Sequence, residues 1–193
     1  MELFEAIKGR RSIGRVKPDP VPRETIERLL DAAVWAPNHH LTEPWRFFVV
    51  TGAGREKLGR AYADIAREQM AGPLGEEQLQ ALEKEALKAQ RAPVIIAAAC
   101  VPDLANAKTV VLEDQAAVSA AVQNLLLAAH AEGLAAIWRS GHPIFHPTMK
   151  ALFGLGEKDS LLGLVYLGYP ADGMPQLHGK RTPAAQYTTW LDA

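Results

Sequence analysis

The stretch APVIIAAAC, residues 92–100, is apolar at nearly every position. Successive side chains of a strand point to opposite faces, so such a run must be covered on both sides. The stretch therefore predicts a central strand, and the fold is read outward from it. On its N-terminal side, helices are expected over 54–71 and 76–91, divided by GPLG, and before them a strand in WRFFVVTG (45–52) closed by glycines. Earlier still, Ile26, Leu29, Leu30 and Ala33 give a stripe for a helix over 22–35, with Pro22 and Glu24 suited to its first turn. Leu3, Phe4 and Ile7 give a first helix that stops at Gly9, a residue able to take positive φ.

On the C-terminal side a long helix is expected over 110–132, with Gly133 as its stop. Alanine occurs on nearly every side of it, which predicts burial all round with a partner subunit as part of the cover. LAAIW (134–138) and SLLGLVYLGYP (160–170) read as strands, and PTMKALFG (147–154) as a short helix. The tail after Gly173 has no period yet ends in YTTWL, so it is expected to dock. Three or four strands among five or more helices, without regular alternation, make an α+β sandwich, one domain over residues 1–193.

Composition narrows the function. With 21 Lys+Arg against 22 Asp+Glu, nothing draws nucleic acid or an anionic membrane. No stretch approaches the roughly 20 apolar residues of a membrane helix. MELFEAIKGRR carries its acids before its bases, the reverse of a signal peptide, so a cytoplasmic protein is expected. Cys100 is the single cysteine and reads as a small buried thiol.

Three motifs mislead. FFVVTGAGREKLG imitates a dinucleotide-binding turn, but Gly59 comes two residues late for the third glycine. His142 and His146 are four apart, but Pro143 and Pro147 break the helix that would align them, so they read as loop histidines rather than metal ligands. Glu76, Glu77, Glu83, Lys84, Glu85 and Lys88 read as a solvated helix face.

GRRSIGR, residues 9–15, puts three arginines and a serine where a helix has just ended. Guanidinium forks and a hydroxyl suit a phosphate, and equally the basic residues complement the negative end of that helix. Chemistry alone leaves both readings open.

RRSIGR (10–15) resembles the Arg-Arg-Ser opening of the FMN-dependent nitroreductase family, in its short single-domain branch. APNHHLTEPWRFFVV (36–50) is similar to that family's Ala-Pro-Ser…Gln-Pro-Trp-x-Phe segment. The order continues with AAHAEGL, AAIWRSG, VYLGYP and KRTP, over nearly the whole chain. The resemblance implies a three-layer sandwich with a mainly antiparallel central sheet. It also implies a homodimer with a domain-swapped C-terminal tail and FMN bound at the subunit interface. Arg10 and Ser12 would hold the FMN phosphate and ribityl chain, with Arg11 adding backbone and charge, and Arg181 would close over the phosphate, with Lys180 the weaker candidate. Pro37, Asn38 and His39 would approach the isoalloxazine from the other subunit. Trp138, Arg139 and Ser140, just past a strand, would bring backbone N–H groups to N5 and O4, and Arg139 a charge toward N1.

Three positions depart from the family pattern. Gly14 stands where the family often has a basic residue, and Leu41 and Glu43 where many members have Asn and Gln. The implied function is transfer of a hydride from NAD(P)H through flavin to a nitroaromatic or quinone-like acceptor, in ping-pong order, with no side chain as nucleophile. The alternatives are another flavin reaction on the same scaffold, such as reductive dehalogenation or flavin fragmentation, and a non-catalytic flavin binder.

Overall fold

The computed structural model describes residues 2–173 and 179–191. Within APVIIAAAC a strand runs over Val94–Cys100, buried at every position. With strands over Trp45–Thr51, Ala135–Arg139 and Ser160–Gly168 it forms a four-stranded sheet. In chain order these are β1 (Trp45–Thr51), β2 (Val94–Cys100), β3 (Ala135–Arg139) and β4 (Ser160–Gly168), and their spatial order is β1-β2-β4-β3. All three pairings are antiparallel.

Val94, Ile96, Ala98 and Cys100 of β2 belong to one core, and Ile95, Ala97 and Ala99 to the other. Helices cover both. α1 (Leu3–Gly9) and α2 (Arg23–Ala33) lie on the side of the long α5 (Val111–Ala131). α3 (Gly54–Glu68) covers the opposite face with two short helices, α6 (His142–Phe145) and α7 (Pro147–Leu152), while α4 (Glu76–Ala86) packs outside α3. This is the expected α+β sandwich in three layers. Among the described residues, no helix is long and apolar enough to cross a membrane.

Three local readings change. Gly9 ends α1 without a positive φ. A Cβ there would stand 3.1 Å from Nε2 of His130, so the residue is small because α1 passes close to α5. α5 is buried along one stripe, Ala117, Val118, Ala121, Val122, Leu125, Leu126 and Ala129, while Leu112 is 75% exposed. A single chain offers only one apolar surface to a straight helix. His142 opens a short helix rather than lying in a loop, while Pro147 opens the short helix expected over 147–154. His146 caps α7 by accepting from the Thr148 N–H at 3.2 Å and meets Glu68 at 3.2 Å.

The chain after α1 runs along the outer edge of β3. Ser12 forms a parallel bridge with Ala136, and the Ile13 N–H donates to the Ala136 carbonyl at 3.0 Å. The segment just after the first helix is thereby fixed beside the start of the edge strand β3.

Candidate functional site

Arg10 and Arg11 follow the last turn of α1 and are used differently. Arg11 turns back: its Nη1 donates to the carbonyls of Lys8 at 2.6 Å and Arg10 at 2.8 Å. This is the helix-end role that the sequence left open. Its guanidinium also packs on the tail, where a Cβ at Gly179 would come within 2.7 Å of Cζ. Arg10 is held below the ordinary guanidinium pKa, first by burial and then by the charges of Arg181 and Arg11. Three cations from two ends of the chain therefore converge. Among the described residues none of them is paired with a carboxylate. Among the described residues Nε of Arg10 and of Arg11 is also buried without a partner. Unpaired buried donors beside like charges are costly unless an anion joins them. The donor set fits a phosphate, with the exposed Ser12 alongside.

A second group lies further along the β3 edge. Trp138 and Arg139 are the last two residues of β3 rather than residues beyond it. The Trp138 indole packs on β4, with Nε1 donating to the Leu162 carbonyl at 3.2 Å, and a Cβ at Gly163 would stand 2.0 Å from that nitrogen. Arg139 turns to the other face, its Cζ 5.3 Å from the ring centre of Tyr166, with Nε buried and without a partner among the described residues. A Cβ at Gly14 would lie 3.0 Å from Nη2 of Arg139. The glycine departure at position 14 thus borders the guanidinium, so the space beside it already holds a cation. Arg15 is exposed.

Arg139 and Ser140 open into a recess of about 360 Å³, also lined by Tyr62, Lys88, Arg91 and Tyr166. The sequence reading missed these four. The sequence places Lys88 on a solvated face, yet it is partly buried, bonded to Glu85, and sits 5.9 Å over the ring of Tyr62. Its position one residue inside the short turn Leu87–Gln90, beyond α4, takes it off the α4 face. Tyr62 on α3 and Tyr166 on β4 are both buried, and an aromatic at such a position reads as core. Burial raises the pKa of both phenols, so both remain protonated at neutral pH.

Pro37, Asn38 and His39 form a third group at the opposite edge, just ahead of β1. β1 and β3 are three strand spacings apart, about 14 Å at roughly 4.8 Å each. One chain does not bring this loop to the arginines. The loop is nevertheless tightly specified. His40, Leu41 and Glu43 have φ of 54°, 54° and 42°, which non-glycine residues adopt at a cost of about 1–3 kcal/mol each. Asn38 Oδ1 accepts from the Glu43 N–H at 3.0 Å, His39 Nδ1 lies 2.6 Å from Glu113, and the Thr42 hydroxyl donates to Asp114 at 2.7 Å. Asp114 is 2% exposed, and the first turn of α5 supplies both acids. Backbone strain held by side-chain anchors is a feature of binding loops.

Comparisons with known proteins show the family and the fold. Residues 7–169 match the model of the Nitroreductase family. A relative from Bacillus subtilis, "Putative NAD(P)H nitroreductase YfhC", is 32% identical over 182 residues, covering 94% of this chain and 90% of its own length. A nitroreductase-like family protein from Bacillus cereus has a crystal structure that superposes with a TM-score of 0.82 at 27% identity, covering 100% of this chain and 97% of that one. A Desulfovibrio desulfuricans structure, "a putative nitroreductase in complex with fmn", superposes with a TM-score of 0.69 at 28% identity, covering 97% and 95%. The matched span runs from the first helix, before the arginines, to the end of the last strand, and on these grounds the chain belongs to the nitroreductase family.

Proposed function

We propose that this protein is an NAD(P)H-dependent FMN oxidoreductase that reduces nitroaromatic or quinone-like acceptors. The observation that carries the reading is the meeting of Arg10, Arg11 and Arg181 with buried, unpaired donors. FMN held at this site would supply the redox chemistry, hydride transfer between NAD(P)H and the acceptor. Every other task falls to the chain. Arg10, Arg181 and Ser12 hold the phosphate end, while Arg11 fixes the turn between them and keeps its Nε for the anion. The backbone N–H groups at Arg139–Ser140 orient the ring, and the Arg139 guanidinium offsets negative charge on its pyrimidine side. Trp138 acts through its backbone, since its indole is bonded to β4. Donor and acceptor use one opening in turn, which is the ping-pong order.

The active form in this reading is a cytoplasmic homodimer. Exposed apolar residues support it: Phe4 at 74%, Trp35 at 85%, Leu41 at 82%, Trp190 at 79% and Leu191 at 94%. Surfaces of this kind mark contact with another chain. A second copy brings its Pro37, Asn38 and His39 to the ring, and the tail carrying Trp190 and Leu191 wraps the partner.

The test is the visible spectrum of the purified protein, with FMN added if needed, before and after anaerobic NADPH or NADH. A flavin band that bleaches, and returns on adding a nitroarene or quinone, is the expected result. A protein that stays colourless after incubation with FMN overturns the reading.

A further inference from the structure

We infer that Tyr62 and Tyr166 are positioning residues for Arg139, fixing its guanidinium in the recess and so setting how much more tightly the site holds reduced than oxidised flavin. The inference rests on the flavin reading above.

Arg139 ends an edge strand and has no carboxylate partner among the described residues, so its long side chain needs another restraint. The face of Tyr166 supplies one, 5.3 Å away, and Gly14 leaves the opposite side open for Nη2. Tyr166 is itself tied across the layer: its hydroxyl lies 3.1 Å from that of Tyr62 on α3, a buried bond between two neutral phenols. Tyr62 in turn lies beneath Lys88. Two cations of one recess are thus mounted on a pair of rings bonded to each other, one ring from the sheet and one from a helix.

Packing alone does not call for this arrangement. Two phenylalanines would fill nearly the same volume without burying hydroxyls that must find partners. The hydroxyls lock the rings, and the rings hold the cations where negative charge develops when the flavin is reduced. Holding that charge stabilises the reduced cofactor over the oxidised one, a preference read directly as a reduction potential.

The experiment measures the two-electron potential of FMN-loaded protein against reference dyes, with affinity for oxidised FMN measured by fluorescence. The variants are R139Q, Y166L, Y166F, Y62F and the double R139Q/Y166L. R139Q and Y166L are each expected to weaken the preference for reduced FMN about tenfold, about 30 mV lower for two electrons. Y166F and Y62F are expected to weaken it about threefold, because the ring stays and only the lock is lost. Oxidised FMN, held mainly at its phosphate, should bind all of them within about threefold of wild type. The double variant should shift no further than R139Q alone, because Tyr166 acts through Arg139.

A wild-type potential in Y166L beside a shifted R139Q overturns the inference, as do shifts that simply add. If Y166L does not fold, wild-type potentials in both Y166F and Y62F overturn it. Wild-type protein that takes up no FMN overturns the flavin reading itself, whereas a failure confined to the tyrosine variants leaves that reading standing.

Discussion

Arg10 and Arg11 are adjacent in sequence, and only one of them has its guanidinium free of helix-end carbonyls. On the proposed site, Arg10→Ala should therefore weaken FMN binding about tenfold to a hundredfold, the value of one charge-assisted contact, while leaving the proposed dimer intact. Fluorescence titration beside sedimentation checks both halves. The sequence showed a cluster of guanidinium groups but not this division, because which arginine folds back depends on where the last helical carbonyls point. Cys100 was legible in full, a small thiol in a buried strand with 0% exposure. Burial, then Asp114 and Asp159, pushes its pKa up to about 11. The folded thiol keeps its proton where the unfolded one has lost it, so its contribution to stability is complete below about pH 9 and fades as pH rises toward 11. Thermal melts of Cys100→Ala should lose less stability than wild type across that window. At pH 8 the native thiol should resist Ellman's reagent until the protein is unfolded.

Pairs of elements decide the local geometry. The Trp138 indole fits β4 because position 163 has no side chain, and β2 meets β4 through a register shift at Ala98/Ala99, opposite this point. Gly163→Ala should push the indole off its bond and destabilise the fold by about 1–3 kcal/mol, as overpacking does. The signature is a lower Tm together with a shifted tryptophan emission. The loop before β1 depends on α5 in the same way. Thr42→Val leaves the Asp114 carboxylate buried without its donor, a loss of about 1–3 kcal/mol. Hydrogen exchange over residues 38–43 should quicken before the sheet amides change. Proline, asparagine and histidine in that loop were readable as site candidates. The strain at His40, Leu41 and Glu43 was not, since no residue there is one that favours left-handed backbone over others strongly enough to announce it.

At the scale of the molecule, the outstanding apolar surface lies on α1, the loop before β1, the start of α5 and the tail. In the proposed homodimer each site takes the loop of the second chain, so replacing Trp190 and Leu191 together with alanine should shift the sedimentation profile from dimer toward monomer and weaken FMN binding with it.

The sequence by itself determined the four strands, every α-helix except α6, the centrality of β2 and the α+β class, because these follow from local periodicity and the burial it demands. It also supplied the arginines, the serine and the resemblance that joins them to a flavin. The tertiary structure alone decided that Arg11 caps a helix, that Gly14 borders the Arg139 guanidinium, and that Lys88 faces a recess rather than solvent. It alone joined Tyr62 to Tyr166, 104 residues apart in the chain. Those facts rest on contacts between distant segments, whose geometry is set by how layers pack and leaves no period in the sequence.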